Sequence, residues 1–185
     1  MTTMTANTIP VLTSERLTLR GADARDVALV QAFYASDRSR YVGGPKDADM
    51  AWRQLATEIG HWTLRGFGRW MIDVTATGET VGMAGLWAPE GWPEPEIGWD
   101  LFAGAEGHGY ATEAAATARA YAYDVLGWNT AISLVNPVNG ASARVCERLG
   151  AALEGTFDHA RFGTVQVWRH PAPDALVNGG AEAYA

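Results

Sequence analysis

Residues 106–114 read Glu-Gly-His-Gly-Tyr-Ala-Thr-Glu-Ala, two glycines one residue apart that run straight into a helix-forming segment. Just upstream, residues 96–102 (Glu-Ile-Gly-Trp-Asp-Leu-Phe) alternate, with Ile97, Trp99 and Leu101 on one side, the period of a strand. Downstream, Ala111, Ala114, Ala115, Ala118, Tyr121, Ala122, Val125 and Leu126 form one stripe at helical spacing, closed by Gly127. Alanine dominates the stripe, which predicts a helix lying close against a sheet. A strand feeding directly into a helix leaves the first helical N–H groups unpaired, at the positive end of the helix dipole. Gly107 and Gly109 would let a phosphate group rest on those amides, and they would equally serve a tight connection with no ligand. Two familiar phosphate motifs are excluded. Tyr110-Ala111-Thr112 is not the Gly-Lys-Ser/Thr of a Walker loop, and Thr112 stands where a dinucleotide fingerprint needs a third glycine.

Outward from this joint the remaining elements follow. Residues 16–20 alternate as a strand, Asp23 is placed to cap a helix carrying Val27, Val30 and Tyr34, and a second helix carries Trp52, Leu55, Ile59 and Trp62 on one face. Residues 70–74 and 80–87 form a hairpin about a turn at 76–79, and 89–95 are a Pro/Trp-rich loop. After the alanine-striped helix come a strand at 131–135 and a short helix capped by Asn139, with Ser142, Val145, Cys146 and Leu149 inward and Gly150 at its end. Strands at 152–157 and 163–168 close the order β-α-α-β-β-β-α-β-α-β-β. One crossover helix then sets a parallel strand into an otherwise antiparallel sheet, an α+β domain with helices on both faces.

The chain has 185 residues, 48% of them apolar, enough for one domain with a core. A formal net charge of −7 disfavours nucleic acid and anionic membranes as partners. A single cysteine, Cys146, excludes an internal disulfide and cysteine-based zinc sites, and the four histidines lack metal-ligand spacing, so no metal is expected. The first residues lack a basic-then-apolar leader and no apolar run is long enough for a membrane span. A cytoplasmic protein is expected, with residues 1–170 as the domain and 171–185 as a poorly ordered tail.

A second stretch, residues 136–151 (Asn-Pro-Val-Asn-Gly-Ala-Ser-Ala-Arg-Val-Cys-Glu-Arg-Leu-Gly-Ala), gives the first its meaning. Together the two resemble the GNAT superfamily of acyl-CoA-dependent N-acetyltransferases. The branch they are most similar to is the RimJ/RimL type, which includes ribosomal-protein N-terminal acetyltransferases. That branch has an N-P-x-N-x-x-S-x-R-x-x-E-x-L-G-A segment, matched here throughout. It also has a Glu-Ile-Gly strand before the loop, matched by Glu96-Ile97-Gly98, and an opening like Thr13 to Arg20. The resemblance spans roughly residues 13–168. It departs in the loop motif Gln/Arg-x-x-Gly-x-Gly/Ala: Glu106 takes the first place, and His108 stands where Arg, Lys or Gln is common.

The resemblance implies a GNAT-like, mostly antiparallel, twisted sheet and direct attack of a primary amine on acetyl-CoA in a ternary complex. It implies that acetyl-CoA is held by backbone amides at Gly107, His108, Gly109, Tyr110, Ala111 and Thr112. Leu101 would polarise the thioester carbonyl through its N–H, and Phe102 and Ala103 would line the pantetheine path. Glu96 would be the general base, with Asp100 as second choice, and Ser142 the proton donor to the leaving thiolate. Asn139 would contact CoA, and Arg144 could reach a CoA phosphate. The acceptor is a small-molecule amine or a protein N-terminus, and a homodimer is open. The alternatives are a non-catalytic acyl-CoA-binding module on the same fold and a partner-binding domain with no CoA site. Cys146, His61, His159 and His170 are expected to be structural or exposed.

Overall fold

A computed structural model describes residues 9–177 of the chain. Its elements are β1 (Leu12–Thr13), β2 (Leu17–Arg20), α1 (Val27–Ala35), α2 (Ala48–Arg65), β3 (Arg69–Val74), β4 (Thr80–Trp87), β5 (Glu96–Leu101), α3 (Tyr110–Asp124), β6 (Ile132–Val135), α4 (Gly140–Arg148), β7 (Ala152–His159), β8 (Gly163–Arg169) and α5 (Pro173–Val177). One eight-stranded sheet holds them in the order β1-β2-β3-β4-β5-β6-β8-β7. Every neighbouring pair is antiparallel except β5 and β6, which α3 connects by the crossover that parallel strands require.

Alternation along the strands divides the core in two. Leu17, Leu19, Trp70, Ile72 and Leu86 face the buried alanines of α3. Met71 and Met83, one residue out of phase, face Val30, Phe33 and Tyr34 of α1 and Ala51 and Leu55 of α2. The expected helices on both faces are thus in place. Ala114, Ala115, Ala118 and Ala122 are fully buried, so α3 lies close against the sheet as their small size permits. Asp23 caps a 3-10 turn (Ala24–Asp26) that leads into α1, and its side chain accepts from Arg25 N–H.

Three expectations are corrected. Trp52 and Ile59 do not share the inner face of α2: they are 54% and 40% exposed, and the buried face is Ala51, Leu55, Glu58, His61 and Trp62. Val125, assigned to the α3 stripe, is exposed because α3 ends at Asp124. A two-residue strand, β1, precedes the first expected one and pairs with β2. Within the segment read as a tail, α5 packs Leu176 against the α3-side core and Pro171 accepts from Tyr123 Oη; residues 178–185 lie outside the described residues. Among the described residues, no helix is long and apolar enough to cross a membrane.

Candidate active site

The parallel pair β5 and β6 shares a single register position, Glu96 opposite Ile132. Beyond it side chains replace the ladder. Leu134 N–H donates to Glu96 Oε1 at 3.1 Å, and Ser133 Oγ donates to Ile97 O at 2.6 Å. Farther along the strands part, and a cleft of about 960 Å³ opens, lined among others by Glu96, Trp99, Leu101, Ala111, Asn139 and Ser142. Leu101 sits on its rim in a defined sense. Leu101 is registered with Gly82 and Phe102 N–H donates to Val81 O at 2.8 Å. Alternation in an antiparallel ladder then turns the N–H and C=O of Leu101 away from β4, toward the cleft. The C=O accepts from Arg38 Nε and Nη2 at 3.3 and 3.0 Å.

Glu96 is buried, and both its oxygens are engaged by neutral donors: Leu134 N–H on Oε1 and Trp92 Nε1–H on Oε2 at 2.7 Å. Burial pushes its carboxyl up to about 7, with those two N–H groups pulling the other way. A carboxyl there is divided between base and acid near neutrality, the condition for exchanging protons efficiently. Asp100, the second choice, is also buried, and it is the ion-pair partner of Arg69.

At the start of α3, Gly107 and Gly109 adopt left-handed backbone (φ of 81° and 80°), which only glycine takes up without strain. A Cβ on Gly107 would meet nothing within 4 Å, so open space lies where a ligand would approach. Gly109 caps the helix with no side-chain acceptor, and Thr112 Oγ1 is buried without a hydrogen-bond partner. Unfilled donors, a bare backbone and an orphaned hydroxyl fit an anionic group of the size of a pyrophosphate. Glu113, in the first turn, is turned away to Ser14 Oγ, Arg16 N–H and Arg16 Nε. Arg16 Nη1 also donates to His108 O, and the His108 ring stacks on Tyr110 with centroids 5.2 Å apart. Glu106 is ion-paired with Arg38. Burial raises its carboxyl, but backbone N–H donation and the guanidinium outweigh this and hold it below the usual carboxylate range. The carboxylate that departs from the loop motif therefore has its charge answered from the 3-10 segment (Asp37–Tyr41) between α1 and α2. Phe102 turns its ring into the core, 5.8 Å from Phe33, so only its backbone remains for a ligand; Ala103 is exposed.

Asn139 caps α4, accepting from Ser142 N–H at 3.2 Å, while its Nδ2 donates to Ser142 Oγ at 3.1 Å. Ser142 is half-buried on the cleft wall with its own proton left to give. Arg144 is exposed. Cys146 is buried, and burial raises its thiol to about 12. His61 is locked between Phe67 O and Ala88 N–H and stacks on Trp87. His170 is buried between Arg119 and Ser133, and burial drives its ring down to about 3. His159 lies on the cleft wall in an aromatic group with Trp92 and Phe162.

Three site residues, Arg38, Glu58 and Arg69, escape the sequence reading, as does the hydrogen bond from Trp92 to Glu96. Arg38 and Trp92 lie outside the regular strands and helices, where side-chain direction has no period to reveal it. Glu58 had a signal. It stands three residues after Leu55 and four before Trp62, an inward position of α2.

The family model described as acetyltransferase (GNAT) domain matches residues 16–152. An uncharacterized Bacillus subtilis (strain 168) protein, YkkB, is 30% identical over 155 residues, 79% of this chain and 87% of that one. Among solved structures, an acetyltransferase from Agrobacterium tumefaciens str. C58 superposes with a TM-score of 0.82 at 39% identity, covering 88% of this chain and 95% of that one. RimL, a ribosomal L7/L12 alpha-N-protein acetyltransferase, is similar in fold, with a TM-score of 0.73 at 18% identity over 88% of this chain and 94% of that one.

Proposed function

The chain belongs to the GNAT acetyltransferase family, and on that premise we propose that it transfers an acetyl group from acetyl-CoA to a primary amine by direct attack in a ternary complex. The single observation that carries this reading is Glu96: a buried carboxyl poised near neutrality at the point where β5 and β6 part. We assign the chain to the RimJ/RimL-like branch on its residues 136–151, a reading supported by the likeness in fold to RimL.

Acetyl-CoA, when bound, supplies an acyl group already activated as a thioester. The amides from Gly107 to Thr112 hold its pyrophosphate, with Asn139 as a further contact. The N–H of Leu101 donates to the carbonyl oxygen and stabilises charge developing there. Glu96 removes a proton from the acceptor's ammonium through a water, which frees the nitrogen lone pair for attack. As the carbon–sulfur bond breaks, Ser142 gives its hydroxyl proton to the sulfur and is reprotonated through solvent by the proton that the nitrogen sheds on becoming an amide, while the Nδ2–H of Asn139 holds the Ser142 oxygen in place.

Incubating the protein with acetyl-CoA and a panel of amines, and following free-thiol release, tests the reading. Release that depends on one class of amine is expected. Tight acetyl-CoA binding with no release for any amine would overturn catalysis and leave the acyl-CoA-binding module.

A further inference from the structure

Away from Glu96, the cleft has a second polar floor that the reaction as described does not use. Glu58 of α2 lines it and is 2% exposed, together with Arg69 of β3, Asp100 of β5 and Gln54 of α2. Glu58 Oε1 takes Gln54 Nε2–H at 3.2 Å and faces Arg69 Nη1 at 3.7 Å. Its other oxygen, Oε2, is buried with no hydrogen-bond partner. Arg69 directs its Nη2 to Asp100, not to that oxygen. Lys46, a further cation acting on Glu58, donates to Gln54 Oε1 at 3.1 Å and covers the ring of Tyr34. A buried carboxyl oxygen without a donor costs free energy that a fold tolerates where something else is to supply the donor.

Two further segments line the cleft and touch each other. The hairpin tip between β7 and β8 meets the segment that leads into α2: a Cβ on Gly43 would lie 3.0 Å from Arg161 Nη2 and 3.2 Å from Phe162 Cε1. Tyr41, Val42, Arg161 and Phe162 all face the cleft across that contact.

We propose that Glu58 Oε2 anchors a second amino group of the acceptor, so that the acceptor is a small diamine or a compact molecule carrying two amines, one presented to Glu96 and the other held at Glu58. The inference rests on the amine-acetyltransferase reading above and narrows its substrate class. Glu58 also has the right electrostatics: burial raises its carboxyl, with Arg69 and the Gln54 N–H opposing, and an incoming ammonium would favour its charged form.

The test compares straight-chain diamines, from diaminopropane to diaminohexane, with alkylamines of equal length and with a short peptide bearing a free N-terminus. The wild-type chain is used, with thiol release as readout. At least one diamine should exceed its matched alkylamine by about 10-fold or more in kcat/KM, chiefly through KM, and should exceed the peptide. In Glu58→Gln that diamine-to-alkylamine ratio should collapse to about 1. Release with equal kcat/KM for every matched pair would overturn this inference and leave the proposed function standing, as would a peptide that outperforms every diamine. No release with any amine would overturn both. Should Glu58→Gln fail to fold, the wild-type comparison decides alone.

Discussion

At the scale of the residue, the behaviour of Glu96 follows from its neighbours: it is buried, and its two oxygens take neutral N–H donors. Its working form is the carboxylate, so kcat/KM should rise with pH along an acid limb centred at about pH 7. Glu96→Gln should lower the rate on the order of 10²-fold at neutral pH and abolish that limb, with acetyl-CoA affinity little changed. A pH–rate profile of both proteins checks this, and an unchanged limb in the variant would remove Glu96 as the base. Asn139 has two jobs, capping α4 and orienting Ser142, so Asn139→Ala should cost about 1 kcal/mol in thermal unfolding and also reduce kcat. The meeting of Glu96, Asn139 and Ser142 on one cleft was legible in the sequence. Glu96, Asn139 and Ser142 fall inside ordered motifs, whereas the Trp92 indole that holds Glu96 lies in a loop whose direction no pattern encodes.

At the scale of the element, helix periodicity fixed where α2 and α3 run better than which way α2 faces. Trp52, Leu55, Ile59 and Trp62 make a plausible stripe on hydrophobicity alone, but the true inner face includes Glu58 and His61. A hydrophobic stripe cannot reveal a face that buries a charged network, and the displacement of Trp52 to the surface is the consequence. Leu55→Ala should therefore destabilise by about 2–5 kcal/mol, and Trp52→Ala by no more than about 0.5 kcal/mol; denaturant titration separates them, and equal losses would restore the sequence-based face. Nothing in the local sequence states that Leu134 will donate to a side chain in place of a strand.

At the scale of the whole molecule, two sets of carboxyls pull stability in opposite directions with pH. Glu96 and Glu58 are raised above their ordinary value by burial, so the folded state holds protons that the unfolded chain has released, and stability falls as pH rises from about 4.5 through 7. Asp26, Glu94, Glu106 and Glu113 are held below theirs, mainly by arginines and N–H groups that outweigh burial. Their contribution is present above the unfolded pKa and is lost as pH falls below about 4. His170 and His61, held below their usual value by burial, add stability as pH rises to about 6.5 and offset the raised carboxyls over that range, so thermal unfolding should weaken below about pH 4 and decline again from about pH 6.5 toward 7; unchanged stability below pH 4 would contradict this. The central claim is that the coenzyme is gripped by main-chain donors where α3 begins, and thermal unfolding with and without acetyl-CoA, in the wild type and in Gly107→Val, tests it most directly. At ~100 times its Kd the coenzyme should stabilise the wild type by ~2.7 kcal/mol and the variant, with a branched side chain in the open space beside the loop, scarcely at all. An equal shift in both proteins, or none in the wild type, would contradict the account.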